Sequence, residues 1–86
     1  MRVVDGGKIA AYLGSCGPAE KADVTNWRSN TQSARWLGPA DVTAMFPAAV
    51  NHGGGSRWEF PMPRSTARVF ATVRYTAATV LVTNVT

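Results

Sequence analysis

At 86 residues the chain has room for one domain and one modest core, because a domain of this size hides only about 60 to 65% of the surface its unfolded chain exposes. Apolar residues make up 45% of it, with three tryptophans, three phenylalanines and two tyrosines, which argues for a globular protein and against a disordered one. The net charge of +4 is unevenly placed: residues 1 to 56 hold five basic and four acidic side chains, residues 57 to 86 four basic and one acidic. Such a surplus favours phosphate-bearing or acidic partners.

Cys16 is the only cysteine, so an internal disulfide is excluded and a reducing, cytoplasmic compartment is expected. One cysteine and one histidine cannot build a zinc site, and Asp5, Glu20, Asp23, Asp41 and Glu59 are scattered, so no metal or other cofactor is expected. Asp5, Gly6 and Gly7 interrupt any apolar stretch near the start, and no apolar run approaches the ~18 to 20 residues of a membrane helix; neither a signal peptide nor a membrane partner is expected.

In chain order, Arg2 to Val4 reads as a short first strand and Lys8 to Leu13 as a helix with Ile9, Tyr12 and Leu13 at helical spacing. Gly14 to Pro18 is punctuation, and Pro18 suits the first turn of a second helix running from about Ala19 to Ala34. Val24, Trp27, Thr31 and Ala34 recur there at spacings of three and four, with Trp27 the main knob against a sheet. Trp36 is a second anchor on the connection. Gly38 and Pro39 open a third, short helix with Val42, Met45 and Phe46 on one side, stopped by Pro47. Ala48 to Ser56 reads as a loop made pliable by Gly53, Gly54 and Gly55, which lack the lysine and hydroxyl of a phosphate loop.

From Arg57 to Tyr75 polar and apolar residues alternate with a period of two, the mark of strands with a buried and a wet face. Trp58, Phe60 and Met62 share one face of the first strand, which Pro61 and Pro63 end early or confine to an edge. Arg64 to Thr66 is the turn. In the second strand Ala67, Val69, Ala71, Val73 and Tyr75 point one way and Arg68, Phe70, Thr72 and Arg74 the other. A last strand, Thr79 to Val85, carries the continuous run Val80, Leu81 and Val82 of a central strand.

Two guanidinium groups flanking an aromatic ring, Arg68 and Arg74 around Phe70, suit single-stranded RNA, whose phosphates take the charge and whose bases stack. The same spacing also fits a solvated sheet face with Phe70 under a helix. Cys16 and His52 have the chemistry of a nucleophile and its base, but a half-buried cysteine and a loop histidine explain them more simply.

The chain resembles the HigB toxins, messenger RNA interferases of bacterial toxin-antitoxin modules within the RelE-like fold. The resemblance rests on the opening MRVV, the separation of Trp27 and Trp36, ARWLGPADV from Ala34 to Val42, Phe46 with Pro47, Arg57 with Phe60, and the spacing from Ala67 to Tyr75. It implies a small single α+β domain with N-terminal helices on one face of a mainly antiparallel three- to four-stranded sheet. It also implies ribosome-dependent, metal-independent cleavage of messenger RNA and a HigA-type helix-turn-helix antitoxin as partner.

By position, Arg68 matches the arginine that contacts the scissile phosphate in such toxins, and Arg64 stands next to a position where lysine is common; these are the expected catalytic residues. Arg57, Arg74, Phe70 and His52 are the expected RNA-binding residues. Pro61, Pro63 and Ala67 depart from the family's pattern, and the family commonly carries a Thr-His-x-x-Tyr-Asp segment after the position of Thr86. The other readings carried forward are a catalytically weak relative and a basic RNA-binding module that binds RNA or an antitoxin without cutting.

Overall fold

The computed structural model describes residues 1–86 as one α+β domain. The chain forms β1 (Arg2–Val4), α1 (Lys8–Leu13), α2 (Pro18–Ser33), α3 (Pro39–Met45), β2 (Val50–Asn51), β3 (Arg57–Pro61), β4 (Arg68–Arg74) and β5 (Thr79–Val85). The strands make one sheet in the order β1-β5-β4-β3-β2. No helix is long and apolar enough to cross a membrane.

The sheet corrects the expected architecture in two respects. It has five strands, because Val50 and Asn51, expected in a loop, pair antiparallel with Glu59 and Trp58 of β3. It is also mixed: β3 and β5 run antiparallel to β4, but β1 runs parallel to β5, with Arg2 opposite Thr79 and Val4 opposite Leu81. A parallel pair needs a crossover, and the intervening helices and hairpin supply it.

Local chemistry accounts for the helix limits. Pro18 and Pro39 sit in the first turns of α2 and α3, where a missing N–H costs nothing. Ala34, expected as the last residue of α2, is instead its extended C-cap. The stripe on α2 is buried as its spacing requires, with Val24, Trp27 and Thr31 all but inaccessible. Ile9 of α1 and Val42 of α3 join them in one core with Trp58, Phe60, Val69, Ala71, Val73, Val80 and Val82. These strand residues face one another in register, Trp58 with Ala71, Phe60 with Val69 and Val73 with Val80, so all helices cover the same side of the sheet.

The other side is uncovered. β5 is an interior strand, as its run Val80, Leu81 and Val82 predicts, but Leu81 is 37% exposed, so one of its faces is wet. Pro61 does end β3 early, yet β3 is not an edge strand; β2 covers it only as far as Glu59, leaving no ladder for proline to break. The three glycines do not form a free linker. All have positive φ, and the carbonyl of Gly55 accepts hydrogen bonds from the Trp58 indole (3.1 Å) and the Tyr75 hydroxyl. The β3–β4 turn is fixed as well: the buried carboxylate of Asp23 on α2 accepts from the backbone N–H of Arg64 (3.1 Å) and the hydroxyl of Ser65 (2.7 Å).

Trp27 packs against Phe60 with ring centroids 5.3 Å apart. Truncating a buried ring of this size costs about 3 to 5 kcal/mol, a large share of the ~4 to 13 kcal/mol expected for a chain of this length. Trp27→Ala is therefore expected to lower the urea midpoint drastically or prevent folding, whereas Thr25→Ala, on the exposed side of α2, leaves it nearly unchanged.

Candidate nucleic-acid interface

The uncovered face is built by alternation. Side chains that point away from the core are Arg57, Glu59 and Pro61 on β3, and Arg68, Phe70, Thr72 and Arg74 on β4. Their register makes rows across the sheet: Arg57 opposes Thr72, Glu59 opposes Phe70 and Pro61 opposes Arg68. On the other flank Arg74 opposes Thr79, which opposes Arg2, bringing the first strand's arginine onto the same face. Phe70 thus lies on the open side and not under a helix, which settles the ambiguity left by its spacing.

A β-bulge interrupts the β4–β5 ladder between Phe70 and Ala71. Asn84 pairs with Phe70 and Val82 with Ala71, leaving Thr83 as the extra residue, and its hydroxyl donates to the carbonyl of Phe70 (3.1 Å). Such an insertion re-aims the side chains around it. Here it accompanies a shallow cleft of about 240 Å³ whose lining includes His52, Arg57, Phe70, Thr72 and Thr83.

Glu59 organises the charges on this face. One carboxylate oxygen meets Nε2 of His52 at 3.0 Å, and the other accepts a hydrogen bond from the Arg68 guanidinium. Hydrogen bonds from His52 first, and from Arg68 second, hold the Glu59 carboxyl below its ordinary value of 4.5. With the carboxylate ionised, the shared proton sits on His52 Nε2, and Nδ1 makes no hydrogen bond within the fold. The side chain of Glu59 is only 12% exposed, whereas those of His52 and Arg68 are 46% and 52% exposed and so open to a ligand. Arg2, Arg57 and Arg74 form no ion pair.

The expected site residues therefore divide. His52, Arg57 and Phe70 line one cleft, Arg68 joins them through Glu59, and Arg74 extends the same face toward β1. Arg64 lies apart: it lines a different cleft with residues of α2 and the segment after α3. His52 is not a loop residue free of the sheet, since its N–H bonds the carbonyl of Arg57 (2.8 Å) and continues the β2 edge. Sequence reasoning left out Arg2, Thr83 and the bridging role of Glu59. The period of two already placed Glu59 beside Arg57; the cross-strand register that brings it to Arg68 had no sequence signal. Cys16 has no part in this face; its thiol contacts the carbonyl of Leu13.

No protein-family model matches the chain, and no curated protein matches it significantly.

The arrangement can hold a polyanion over several strands, stack one planar ring on Phe70 and accept one proton at His52. Glu59 opposes the first of these and orders the third. Glu59→Gln is therefore expected to tighten binding of single-stranded RNA severalfold at low salt, with the gain shrinking as salt is added. The lowered carboxyl also fixes a sign: its contribution to stability is present above 4.5 and is lost as the pH falls through the depressed value. A carbon-detected NMR titration of Glu59 should show its midpoint below 4.5, and His52→Ala should move it upward.

Proposed function

We propose that the protein is an RNA-cleaving toxin of the HigB kind, a metal-independent endoribonuclease that cuts messenger RNA on the ribosome. It acts in the cytoplasm and is neutralised by a HigA-type helix-turn-helix antitoxin. The observation that carries this reading is the His52–Glu59–Arg68 cluster beside Phe70 and Arg57 on an uncovered, basic sheet face. The resemblance of the chain's motifs to that family supplies the ribosome and the antitoxin.

The chemistry these side chains suit is intramolecular transesterification. His52 Nδ1 takes the proton from a ribose 2′-hydroxyl, whose oxygen attacks the adjacent phosphorus. The bond to the 5′-oxygen breaks, giving a 2′,3′-cyclic phosphate and a 5′-hydroxyl, and the leaving oxygen takes its proton from water. Arg68 stabilises the charge that builds on the phosphoryl oxygens, Arg57 and Arg74 hold flanking phosphates, and Phe70 stacks a base. Glu59 fixes the imidazole tautomer and turns it toward the cleft.

One observation favours a second reading, that of a module which binds RNA or an antitoxin and cuts feebly. Arg68 is engaged by Glu59, so a phosphate must compete with a carboxylate for it. Expression alone should arrest growth under the first reading and not under the second. In a translation extract, cleavage at the ribosome should leave 2′,3′-cyclic phosphate ends. Arg68→Ala should lower its rate about a hundred- to a thousandfold, the usual loss for a preorganised transition-state donor. Cleavage that survives Arg68→Ala unchanged would remove this assignment.

A further inference from the structure

The larger cleft of the protein, about 420 Å³, lies on the helix side between α2, residues 45–49 and the end of β3 with its turn. Asn26, Trp27 and Asn30 of α2 fall on one helix face at its wall, and Trp27 and Phe60 close its apolar floor. Phe46, only partly buried, packs edge-on against Phe60 at 5.5 Å and offers the accessible aromatic surface. The exposed amides of Asn26 and Asn30 make no hydrogen bond within the fold, and the guanidinium of Arg64 on the cleft's lining forms no ion pair. The one carboxylate present, Asp23, is 4% exposed and already bonded to the turn, so the cleft presents cation and amide but no free negative charge.

That combination recognises a planar ring with mixed donors and acceptors on its edge and an anion attached to it. The cleft also adjoins the open face. Pro61 forms part of its wall and stands in register with Arg68 across the β3–β4 pairing. Arg64 and Arg68 are four residues apart, so their Cα atoms are separated by no more than about 14 Å. A strand that runs from Arg68 toward the end of the hairpin therefore meets a further free cation there, Arg64.

We infer that this cleft is a nucleobase subsite for single-stranded RNA. Asn26 and Asn30 read the base edge, Phe46 takes its face, and Arg64 holds the phosphate that links it to the nucleotide at Arg68. The inference rests on the reading of the open face as an RNA surface and adds a place where base preference is set. It also moves Arg64 from the reacting phosphate to a positioning role beside it.

The test uses the full chain and short 2′-O-methyl oligonucleotides, which bind without being cut, carrying one abasic residue at each position in turn. Asn26 and Asn30 are exposed helix positions, so the double variant Asn26→Ala, Asn30→Ala keeps the fold. One abasic position should weaken binding about tenfold in the parent protein and have no further effect in that variant. Arg64→Gln should weaken all sequences alike and lower the salt slope by about one.

If no oligonucleotide binds, the RNA reading falls and the subsite with it. If Arg57→Gln and Phe70→Ala weaken binding while the Asn26, Asn30 and Arg64 variants behave as the parent, the subsite alone is overturned. If those variants spare RNA but abolish binding of a HigA-type protein, the cleft is a protein contact and the inference is likewise overturned.

Discussion

The ring of Phe60 lies among four others, those of Trp27, Trp36, Phe46 and Trp58, with centroid separations between 5.3 and 6.3 Å. Each such pair adds about 0.5 to 1.5 kcal/mol beyond the area it buries, and together they join α2, the α2–α3 connection, the end of α3 and the sheet. A chain of 86 residues has little more apolar material to spend. Having buried one side of the sheet, it leaves the other in water, and that side's alternate positions are free to carry charge.

The open face is basic, yet its only carboxylate is placed among its cations. Glu59 neutralises Arg68 locally and weakens the attraction for phosphate, but it also orders the one imidazole of the protein beside the cleft. In the RNA-cleaving role proposed above, that carboxylate exchanges some affinity for phosphate for a fixed orientation of the imidazole. The Asp23 contact with the turn and the Gly55 contact with Trp58 and Tyr75 hold both ends of β3, so the cluster sits on a strand with little freedom to shift.

Periodicity made much of this legible in the sequence. The spacing of Val24, Trp27 and Thr31 and the alternation from Arg57 to Arg74 are direct imprints of helix and strand geometry, and both sets lie as their patterns require. What escaped depends on long-range pairing. A two-residue strand such as Val50–Asn51 has no period to detect, and a parallel partnership between Arg2 and Thr79 links residues that no local pattern connects. The same holds at the site: Arg68 and Phe70 were visible as one face, but Glu59 reaching Arg68, and Arg64 lining a different cleft, follow from register and from the Asp23 contact.

The central claim is that the uncovered sheet face receives RNA. It is tested most directly by recording amide and arginine side-chain NMR signals while an uncleavable single-stranded oligonucleotide is added. The account predicts the largest shifts at Arg57, Arg68, Phe70, Thr72 and Arg74, with the Arg68 guanidinium signal changing as phosphate displaces Glu59. Shifts confined to α1 and to the exposed side of α2, with the β3 and β4 signals unmoved, would contradict it.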